Sequence, residues 1–392
     1  MKTLKRTWAD ISLDNLEYNY RSIRAHLPQG TKFLGVMKAD AYGHGAVPVS
    51  RALADLGAEY LAVSNLEEAV QIRRGEVRLP ILILGYTPAE YAANMIFLDI
   101  TQEVHSLEYA RELNEALAGT NYILNVHLKL DTGMTRIGFF AYDDERTLDE
   151  LRQVAQLPHL HIEGVFMHFC VADSRAEADV SFTKLQYKRF MDMLSAMAGV
   201  GIRPEIRHCC NSGATILYPE FALDMVRPGI ITYGNAPSDE LEGALSLRPM
   251  MSLHSMIAQV RTVPAGTDIS YGRLYRTKEE TRVAVLPIGY ADGLSRLLTG
   301  KASFYLQGKQ VPVIGRICMD MCMIDVSGVP EAKPGDVVTI FGYDGDGTLL
   351  PCERLARAQG TINYELLCQI SKRIPRICHR GAETSQILQY IV

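Results

Sequence analysis

The chain has 392 residues, of which 47% are hydrophobic and 22% charged, and its formal net charge is −5. This length and composition predict a globular protein with one large domain and a smaller one. The mildly acidic balance argues against nucleic acid or an anionic membrane surface as the main partner. No apolar run is long enough to span a membrane and the N-terminus lacks an apolar signal segment, so we expect a cytoplasmic location.

The eight cysteines are scattered along the chain without a Cys-x-x-Cys pair. Cys209 and Cys210 are adjacent, while Cys318 and Cys322 are four residues apart, a spacing that is not typical of zinc ligands. We therefore expect reduced, mostly buried thiols and no metal site.

Short apolar runs alternate with helical patterns over the first 240 residues. Apolar side chains between Leu13 and Leu27, spaced three and four residues apart, predict a first helix with Ser12 as its N-cap. Eight strands are predicted at Phe33–Met37, Tyr60–Val63, Ile81–Leu84, Ile96–Ile100, Asn125–Leu130, Ile162–Phe166, Glu205–His208 and Met225–Ile231. Helices are predicted between them at Val49–Leu56, Leu66–Arg74, Leu107–Leu117, Asp144–Ala155 and Thr183–Ala198. This α/β pattern predicts a (β/α)8 TIM barrel, although a doubly wound sheet would share most of it.

The composition changes near residues 235–247, which are rich in Ser, Glu, Gly and Pro and resemble a linker. We therefore divide the chain into a barrel domain at 1–240 and a second, mainly antiparallel β domain at 241–392. Strands of the second domain are predicted at Ser252–Val260, Arg282–Leu286, Ala302–Leu306, Val311–Ile314, Met321–Val326 and Val337–Phe341. A terminal helix is predicted over Pro351–Arg373.

The first strand delivers Lys38 into a turn rich in glycine and aromatic residues. Burial lowers the pKa of a lysine and so makes its amine nucleophilic enough to form a Schiff base. The alternative is a lysine at a strand end whose charged head reaches solvent.

Other polar side chains also follow the predicted strands. Active sites of such barrels lie beyond the carboxyl ends of the strands. The residues found there are Lys38, Asn65, Lys129, Arg136, His168, Asn211, Ser212, Arg227 and Gly229.

The string Lys-Ala-Asp-Ala-Tyr-Gly-His-Gly at 38–45 closely resembles the pyridoxal-phosphate lysine motif of alanine racemases. The resemblance extends from Thr7 to Arg376. It implies an isomerase that interconverts L- and D-alanine and supplies D-alanine for peptidoglycan. Thr135 and Arg273 occupy positions where the family commonly has smaller residues. An arginine at the position of Arg273 resembles the serine racemases, which suggests serine as a side substrate.

The resemblance implies that Lys38 binds pyridoxal 5'-phosphate, that Arg227 faces its pyridine nitrogen, and that His168 orients Arg227. An arginine stays protonated and cannot pass a proton to the ring. The neutral ring is then a poorer electron sink, which favours racemisation over transamination. Taken alone, Arg227 would be interpreted as a surface ion-pair residue and His168 as a core histidine.

The resemblance also assigns the cofactor phosphate to hydroxyls and backbone amides at strand ends. The matching residues are Tyr42, Asn211, Ser212, Gly229, Ile230 and Tyr364. Without the resemblance, both tyrosines would be interpreted as core packing.

Arg136, by resemblance, binds the phenolate oxygen of the cofactor and the substrate carboxylate. Lys129 matches a lysine that is often carbamylated. A buried Lys129 and Arg136 would repel each other, and converting the amine into an anion removes the repulsion. We therefore hypothesise that Lys129 is carbamylated.

Racemisation needs proton carriers on both faces of the reacting carbon. Lys38 serves one face, and Tyr271, in Ser-Tyr-Gly, matches the catalytic tyrosine of the family. In the family this tyrosine enters the site of the partner subunit, so a head-to-tail homodimer is implied. Tyr290 and the Met319 amide match substrate-binding positions, and Asp173 is a weaker candidate for the entrance.

Two other functions remain open at this point. An amino-acid decarboxylase of the same fold type would face the pyridine nitrogen with an acid, and Arg227 argues against it. A non-catalytic pyridoxal-phosphate carrier protein would lack the second domain, which contains Tyr271.

Overall fold

A computed structural model describes residues 6–142 and 144–391. These residues form two units. The barrel unit comprises Leu16–Ala41 and Ala46–Arg248, and the β unit comprises the described residues up to Asn15, Tyr42–Gly45 and the described residues from Pro249 onward. The structure therefore does not divide at the single point after residue 240 that we predicted from the sequence.

The helices predicted for the barrel are present, with two further short helices in the described residues that the sequence patterns did not predict. Their bounds are α1 (Leu13–His26), α2 (Ala46–Asp55), α3 (Leu66–Arg74), α4 (Ala92–Phe97), α5 (Leu107–Ala116), α6 (Asp144–Val154), α7 (Glu177–Gly199), α8 (Ser212–Leu217), α9 (Cys352–Gln359) and α10 (Asn363–Cys368). Short 3-10 turns occur at Ala89–Tyr91, Pro219–Phe221, Ile230–Tyr233, Asp239–Leu241, Tyr271–Arg273, Tyr290–Asp292 and Arg296–Leu298. The Ser12 hydroxyl accepts a hydrogen bond from Asn15 N at 3.2 Å, as expected of an N-cap.

The strands fall into three successive groups along the chain. The first strand, before α1, is β1 (Thr7–Ser12). The barrel unit contains β2 (Lys32–Val36), β3 (Tyr60–Val63), β4 (Ile81–Ile83), β5 (Ile100–Val104), β6 (Leu124–Asp131), β7 (Phe139–Phe140), β8 (Leu160–Phe166), β9 (Ile206–His208) and β10 (Met225–Val226). The β unit contains β11 (Met251–Met256), β12 (Gln259–Val263), β13 (Asp268–Ile269), β14 (Tyr275–Arg276), β15 (Thr281–Leu286), β16 (Ser303–Leu306), β17 (Lys309–Ile314), β18 (Cys322–Asp325), β19 (Val337–Tyr343), β20 (Leu349–Leu350), β21 (Arg376–Arg380) and β22 (Glu383–Leu388).

The sheet of the barrel unit is parallel and runs in the order β10-β2-β3-β4-β5-β6-β8-β9, with β7 beside β6. Backbone hydrogen bonds from Asp224 N to Arg207 O and from Arg227 N to Cys210 O join the last two strand segments and close the ring. Strands such as β3 and β4 are buried along their whole length, because a parallel sheet covered by helices has no solvent-facing side. The predicted (β/α)8 barrel is confirmed.

Two predicted barrel strands differ from the structure. The apolar run at 96–100 continues helix α4, and the strand begins only after Asp99, whose φ of 52° ends the helix. The strand predicted at 225–231 stops at Val226, because Pro228 has no backbone N–H and the next residues form a 3-10 turn.

The main sheet of the β unit has the order β12-β15-β18-β17-β16-β19-β11-β1-β21-β22, with β20 beside β19. Its pairs are antiparallel except for β1 with β21, which confirms a mainly antiparallel second domain. The predicted single terminal helix is wrong. Gly360 adopts φ 82° and ends α9, a separate α10 follows, and the described chain continues into β21 and β22.

A left-handed turn follows β2 and begins at Lys38. Ala39, Asp40, Ala41 and Tyr42 have φ values of 53°, 55°, 55° and 51°. Each L-residue in this conformation costs about 1–2 kcal/mol relative to the right-handed helix. The surrounding structure must therefore impose the turn.

Two carboxylates hold this turn in the barrel unit. Glu68 accepts hydrogen bonds from Ala39 N at 2.7 Å and, through its second oxygen, from Ser64 N at 2.8 Å. Asp40 accepts a hydrogen bond from Ala46 N at 2.8 Å, at the start of α2. Glu68 thereby ties the segment after β2 to the segment after β3.

The segment Tyr42–Gly45 is fixed within the β unit by Arg376, which is 1% exposed. The Arg376 guanidinium donates to Gly43 O at 2.8 Å and to the carbonyl oxygens of Ile370, Ser371 and Ile374 at 2.6–2.7 Å. A Cβ on Gly43 would lie 2.5 Å from Leu367 O, so this close approach requires glycine.

None of the helices in the described residues is long and apolar enough to cross a membrane. The same residues contain no group of three or more His, Cys, Asp or Glu side chains that could hold a metal ion.

Gly164 in β8 offers a test of the barrel core. A Cβ at this position would lie 2.5 Å from His127 Cε1, inside the buried interior. We expect Gly164→Ala to lower the free energy of unfolding by about 1–3 kcal/mol, because the imidazole must move in a closely packed core. The measurement is denaturant unfolding followed by circular dichroism. Gly199→Ala is the control, since its Cβ would meet nothing within 4 Å, and equal destabilisation of both variants would contradict this account.

Candidate active site

Lys38 lies two residues beyond β2 and is half-buried at the carboxyl end of the barrel. Met37 N donates to Ala62 O at 2.7 Å, which extends the pairing of β2 and β3 up to the residue before Lys38. The buried strand therefore delivers Lys38 to the barrel end, as the sequence indicated.

The other predicted residues of the barrel unit also follow strands. Lys129 lies near the end of β6 and Arg136 in the loop after it, His168 follows β8, and Asn211 follows β9. The remaining members of this group are Ser212, Arg227, Gly229 and Ile230, and all four are buried. The structure thus gathers these predicted site residues at the carboxyl end of one barrel.

The end of the barrel is rich in positive charge. Burial lowers the pKa of His168 well below its ordinary value, and nearby cations lower it further. Those cations are Arg227, Arg136, Lys129 and Lys38. Such a cluster suits a ligand with several negative groups, and pyridoxal phosphate, which carries a phosphate and a phenolate, fits this donor set.

Arg227 is 4% exposed, and its guanidinium donates hydrogen bonds to uncharged acceptors. Its Nη2 donates to Met167 O at 2.7 Å and to Cys209 O at 3.1 Å, and its Nη1 donates to His208 Nδ1 at 2.9 Å. Burial lowers the pKa of Arg227 to about 10, so the guanidinium is still charged at neutral pH.

Two histidines contact Arg227, and the closer one was missed from the sequence. His168 Nδ1 lies 3.4 Å from Arg227 Nη2, whereas His208 Nδ1 lies 2.9 Å from Nη1. His208 is fully buried and stacks on Phe166, with ring centroids 4.9 Å apart and planes at 11°. The Phe166 ring also lies 5.4 Å from Arg227 Cζ. This packing holds His208 against the guanidinium.

Lys129 is buried, and its Nζ donates to Leu130 O at 2.7 Å. Burial lowers its pKa to about 7, the negative charge of Asp131 opposes this shift, and the positive charges of Arg227 and Arg136 add to it. Burial therefore favours the neutral amine of Lys129 over its charged form.

Arg136 is exposed in the loop that follows β6. The loop before it is ordered by Asp131, which accepts from Gly133 N at 2.9 Å and Thr135 N at 3.0 Å. Thr135 adopts φ 55°, a conformation that glycine would adopt without strain.

Backbone amides and hydroxyls meet between the ends of β9 and β10. Ser212 Oγ accepts a hydrogen bond from Gly229 N at 2.9 Å. Asn211 caps α8 by accepting from Ala214 N at 3.0 Å, and its amide donates to Phe169 O at 3.1 Å. These bonds fix the two segments that we predicted to bind phosphate.

Two predicted phosphate-binding tyrosines lie together in the β unit. The rings of Tyr42 and Tyr364 have centroids 6.0 Å apart. Burial raises the pKa of Tyr42 far above its usual value, so its hydroxyl stays protonated and can donate.

Tyr271 lies in a tight turn of the β unit, between Ser270 at φ 66° and Gly272 at φ 73°. Ser270 Oγ donates to Arg316 O at 2.7 Å and fixes the turn. A Cβ on Gly272 would lie 3.1 Å from Arg316 Nη1. The Tyr271 side chain itself is 68% exposed.

The two predicted substrate-binding residues of the β unit are adjacent. Tyr290 N donates to Cys318 O at 3.0 Å, and Ala291 N donates to Met319 O at 3.0 Å. A Cβ on Gly289 would lie 2.3 Å from both of these carbonyl oxygens, so glycine allows the two loops to meet. Tyr290 and Met319 are 43% and 52% exposed.

Several residues that support the site were not identified from the sequence. They are Glu68, His127, Glu163, His208 and Arg376. A signal was present for His127, because polar residues at alternate positions of an otherwise apolar strand face the barrel interior. His127 and Lys129 have this spacing in β6.

Family models match both parts of the chain. The model of the alanine racemase N-terminal domain matches residues 11–237, and that of the alanine racemase C-terminal domain matches residues 250–378. The alanine racemase of Desulfovibrio desulfuricans is 46% identical over 94% of this chain and 97% of its own length. The alanine racemase of Clostridium tetani is 42% identical over the full length of both chains.

Solved structures agree with these relationships. The alanine racemase of Clostridium difficile 630 is 40% identical, with a TM-score of 0.93 over the whole of both chains. That of Bacillus anthracis, solved with bound L-Ala-P, is 35% identical with a TM-score of 0.93 over 100% of this chain and 99% of its own. Relatives at this identity and coverage establish the family. The chain belongs to the alanine racemase family, whose members are isomerases.

Proposed function

We propose that this chain is a pyridoxal-phosphate-dependent alanine racemase. The observation that carries the proposal is the combination of Lys38, just beyond the end of β2, with Arg227. Arg227 is a buried cation that donates its hydrogen bonds to uncharged acceptors. Both lie at the carboxyl end of the barrel, where enzymes of this fold carry out their chemistry. The relatives named alanine racemase over their full length supply the reaction.

The residues that would hold the cofactor differ in role. Lys38 would bind its aldehyde, Arg227 its pyridine nitrogen and Arg136 its phenolate oxygen. The phosphate would be held by Tyr42, Asn211, Ser212, Gly229, Ile230 and Tyr364. When bound, the cofactor withdraws electrons from the α-carbon of the amino acid and makes its hydrogen removable as a proton.

Arg227 favours racemisation because it keeps its own proton. A guanidinium with its pKa near 10 stays charged at neutral pH and donates a hydrogen bond without protonating its acceptor. The α-carbon then retains its negative character, so the proton returns to that carbon. A carboxylic acid in this place, as expected of a decarboxylase, would protonate the pyridine nitrogen and draw negative charge away from the α-carbon.

Lys38 and Tyr271 would move protons on opposite faces of the α-carbon. The Lys38 amine takes or returns the proton on one face, and the Tyr271 phenol does so on the other. Arg136 and the Met319 amide hold the substrate carboxylate, and Tyr290 narrows the entrance. Two carriers are needed because one base returns the proton to the face from which it came.

A homodimer in which Tyr271 enters the partner's site is supported by the surface of the β unit. Exposed apolar side chains surround Tyr271 in sequence and along the neighbouring loops: Leu274 is 62% exposed, Met319 52%, Met321 49% and Tyr290 43%. Apolar side chains of this size are usually covered in the working assembly. A second copy of the chain would cover them and bring Tyr271 to its Lys38.

Carbamylation of Lys129 is part of the proposal. Carbon dioxide reacts with a neutral amine, and burial provides one by lowering the pKa of Lys129 to about 7. The resulting carbamate would pair with Arg136 and hold it for the substrate.

The physiological role we propose is supply of D-alanine for peptidoglycan in the cytoplasm, as the family resemblance implies. We propose activity on serine as a side reaction. It rests on Arg273, whose guanidinium pairs with Asp268 at 2.6 Å and is 72% exposed.

The function is tested by following optical rotation and α-deuteration of L-alanine and L-serine in deuterated water. We expect the wild-type holoenzyme to racemise alanine and to act more slowly on serine. Lys38→Ala should lose both racemisation and the visible absorbance of the lysine-bound cofactor. Tyr271→Phe should keep the absorbance but lose roughly 10²–10⁴-fold in rate, since one proton carrier is missing. Wild-type rates in Tyr271→Phe would contradict the two-base assignment.

The homodimer is tested by co-expressing Lys38→Ala and Tyr271→Phe chains. If Tyr271 serves the partner's site, a mixed dimer contains one site with both residues intact. Random assembly should then restore about a quarter of the wild-type rate, because half of the dimers are mixed. A mixture as inactive as the two separate variants would show that each chain supplies its own tyrosine.

Carbamylation is tested by ¹³C NMR of the protein in ¹³C-bicarbonate. We expect a carbamate signal at about pH 8 that weakens strongly at about pH 6, because protonation of Lys129 below its pKa removes the nucleophile. Lys129→Met is the control for other amines. The same signal in Lys129→Met, or none in the wild type, would refute the modification.

A further inference from the structure

A line of hydrogen-bonded side chains runs through the interior of the barrel below Arg227. His208 Nδ1 lies 2.9 Å from Arg227 Nη1, and His208 Nε2 lies 2.9 Å from His127 Nδ1. His127 Nε2 lies 3.1 Å from Glu163 Oε2. We call Arg227, His208, His127 and Glu163 the histidine relay.

The geometry allows only one arrangement of protons in the histidine relay. A guanidinium can only donate, so His208 Nδ1 accepts and its Nε2 carries the hydrogen. His127 Nδ1 must then accept from His208, which leaves the hydrogen of His127 on Nε2, facing Glu163. Burial lowers the pKa of both histidines, so both rings are neutral as this arrangement requires.

Glu163 is the negative end of the histidine relay. Its Oε2 accepts hydrogen bonds from the hydroxyls of Tyr60 at 2.8 Å and Thr101 at 3.2 Å, besides that from His127. Burial opposes ionisation of Glu163, but these donors outweigh it and lower the pKa of the carboxyl below its usual value. The carboxylate therefore stays charged and faces Arg227 across two polarised rings.

The strands show that the relay crosses the barrel. Tyr60 is the first residue of β3 and Thr101 the second of β5, so Glu163 lies toward the amino ends of the strands. Arg227 follows β10 at the carboxyl end. Gly164 makes room for the connection, because any Cβ there would meet the His127 ring.

We propose that Glu163 and His127 are positioning residues for the reaction, which hold Arg227 in place from the opposite end of the barrel. This inference rests on the function proposed above. Nη2 of Arg227 is already fixed by two carbonyl oxygens, and the relay fixes Nη1. The negative charge of Glu163 polarises both rings and strengthens the bond that His208 accepts from Arg227.

Weakening the relay should change the outcome of the reaction as well as its rate. A loosely held Arg227 no longer excludes other proton donors from the pyridine nitrogen. The ring then becomes a better electron sink, and more of the alanine is transaminated. In that side reaction the proton goes to the cofactor instead of the α-carbon, and water cleaves the bond between the α-carbon and the nitrogen. The amino group then remains on the cofactor, and the carbon skeleton leaves as pyruvate with its carbonyl oxygen from water.

The test is Glu163→Gln in the holoenzyme, with L-alanine as substrate. This change keeps the size and hydrogen bonding of the side chain but removes its charge. We expect kcat to fall roughly two- to thirtyfold, with a smaller change in KM, and the pyruvate formed per racemisation turnover to rise. Glu205→Gln is the matched control, because Glu205 is exposed and donates only its backbone N–H to Glu163 O. It should match the wild type.

Each result has a distinct meaning. A wild-type enzyme that does not racemise alanine would refute the proposed function itself. An active wild type, with an unchanged ratio of pyruvate to racemisation in Glu163→Gln, would refute the relay. If Glu163→Gln does not fold, His127→Gln interrupts the relay between Glu163 and His208 and should likewise raise the ratio.

Nitrogen NMR of ¹⁵N-histidine-labelled wild-type holoenzyme gives a readout independent of turnover. Both His127 and His208 should be neutral with the hydrogen on Nε2. A hydrogen on Nδ1 of either ring would overturn the inference, because that ring could not accept from the preceding member of the relay. The assignment of signals uses His127→Gln and His208→Gln.

Discussion

The buried positive charge of Arg227 is the constraint around which the polar interior of the barrel unit is arranged. Arg227 is enclosed at the end of β10 and makes its recorded hydrogen bonds to carbonyl oxygens and imidazole nitrogens. An uncompensated charge in such surroundings is costly, so its acceptors must be numerous and well placed. The histidines, the glycine that makes room for one of them and the distant carboxylate can all be understood as consequences of this requirement.

Much of the fold could be predicted because the strands of a parallel barrel are short apolar runs between amphipathic helices. Helix Leu66–Arg74 was predicted to the residue, since Asn65 caps it and its apolar side chains have a helical spacing. The pattern failed where an apolar run was shared by two elements, as at Ile96–Ile100. Strand β1 was not predicted either. Its partners β11 and β21 lie far along the chain, and no local pattern at residues 7–12 indicates that pairing.

The candidate site shows the same limit. Lys38, Arg136 and Tyr271 stand in motifs dense enough to be identified, and resemblance rather than spacing suggested their roles. The supporting residues had no such motif. Glu163 and His208 occupy ordinary strand positions, and only the register of β6, β8 and β9 brings them to His127. Contacts set by strand register between distant segments are not visible in a linear pattern.

The way the chain passes between the two units has a consequence for biosynthesis. Strand β1 is translated long before both of its partners, β11 and β21. Likewise, the segment Tyr42–Gly45 is fixed by a hydrogen bond from the Arg376 guanidinium, which can form only after Arg376 has been translated. The barrel strands can associate during translation, but the segment Tyr42–Gly45 cannot reach its final form until Arg376 has been translated. Truncation before Arg376 would therefore damage the turn that follows β2, 333 residues earlier in the chain.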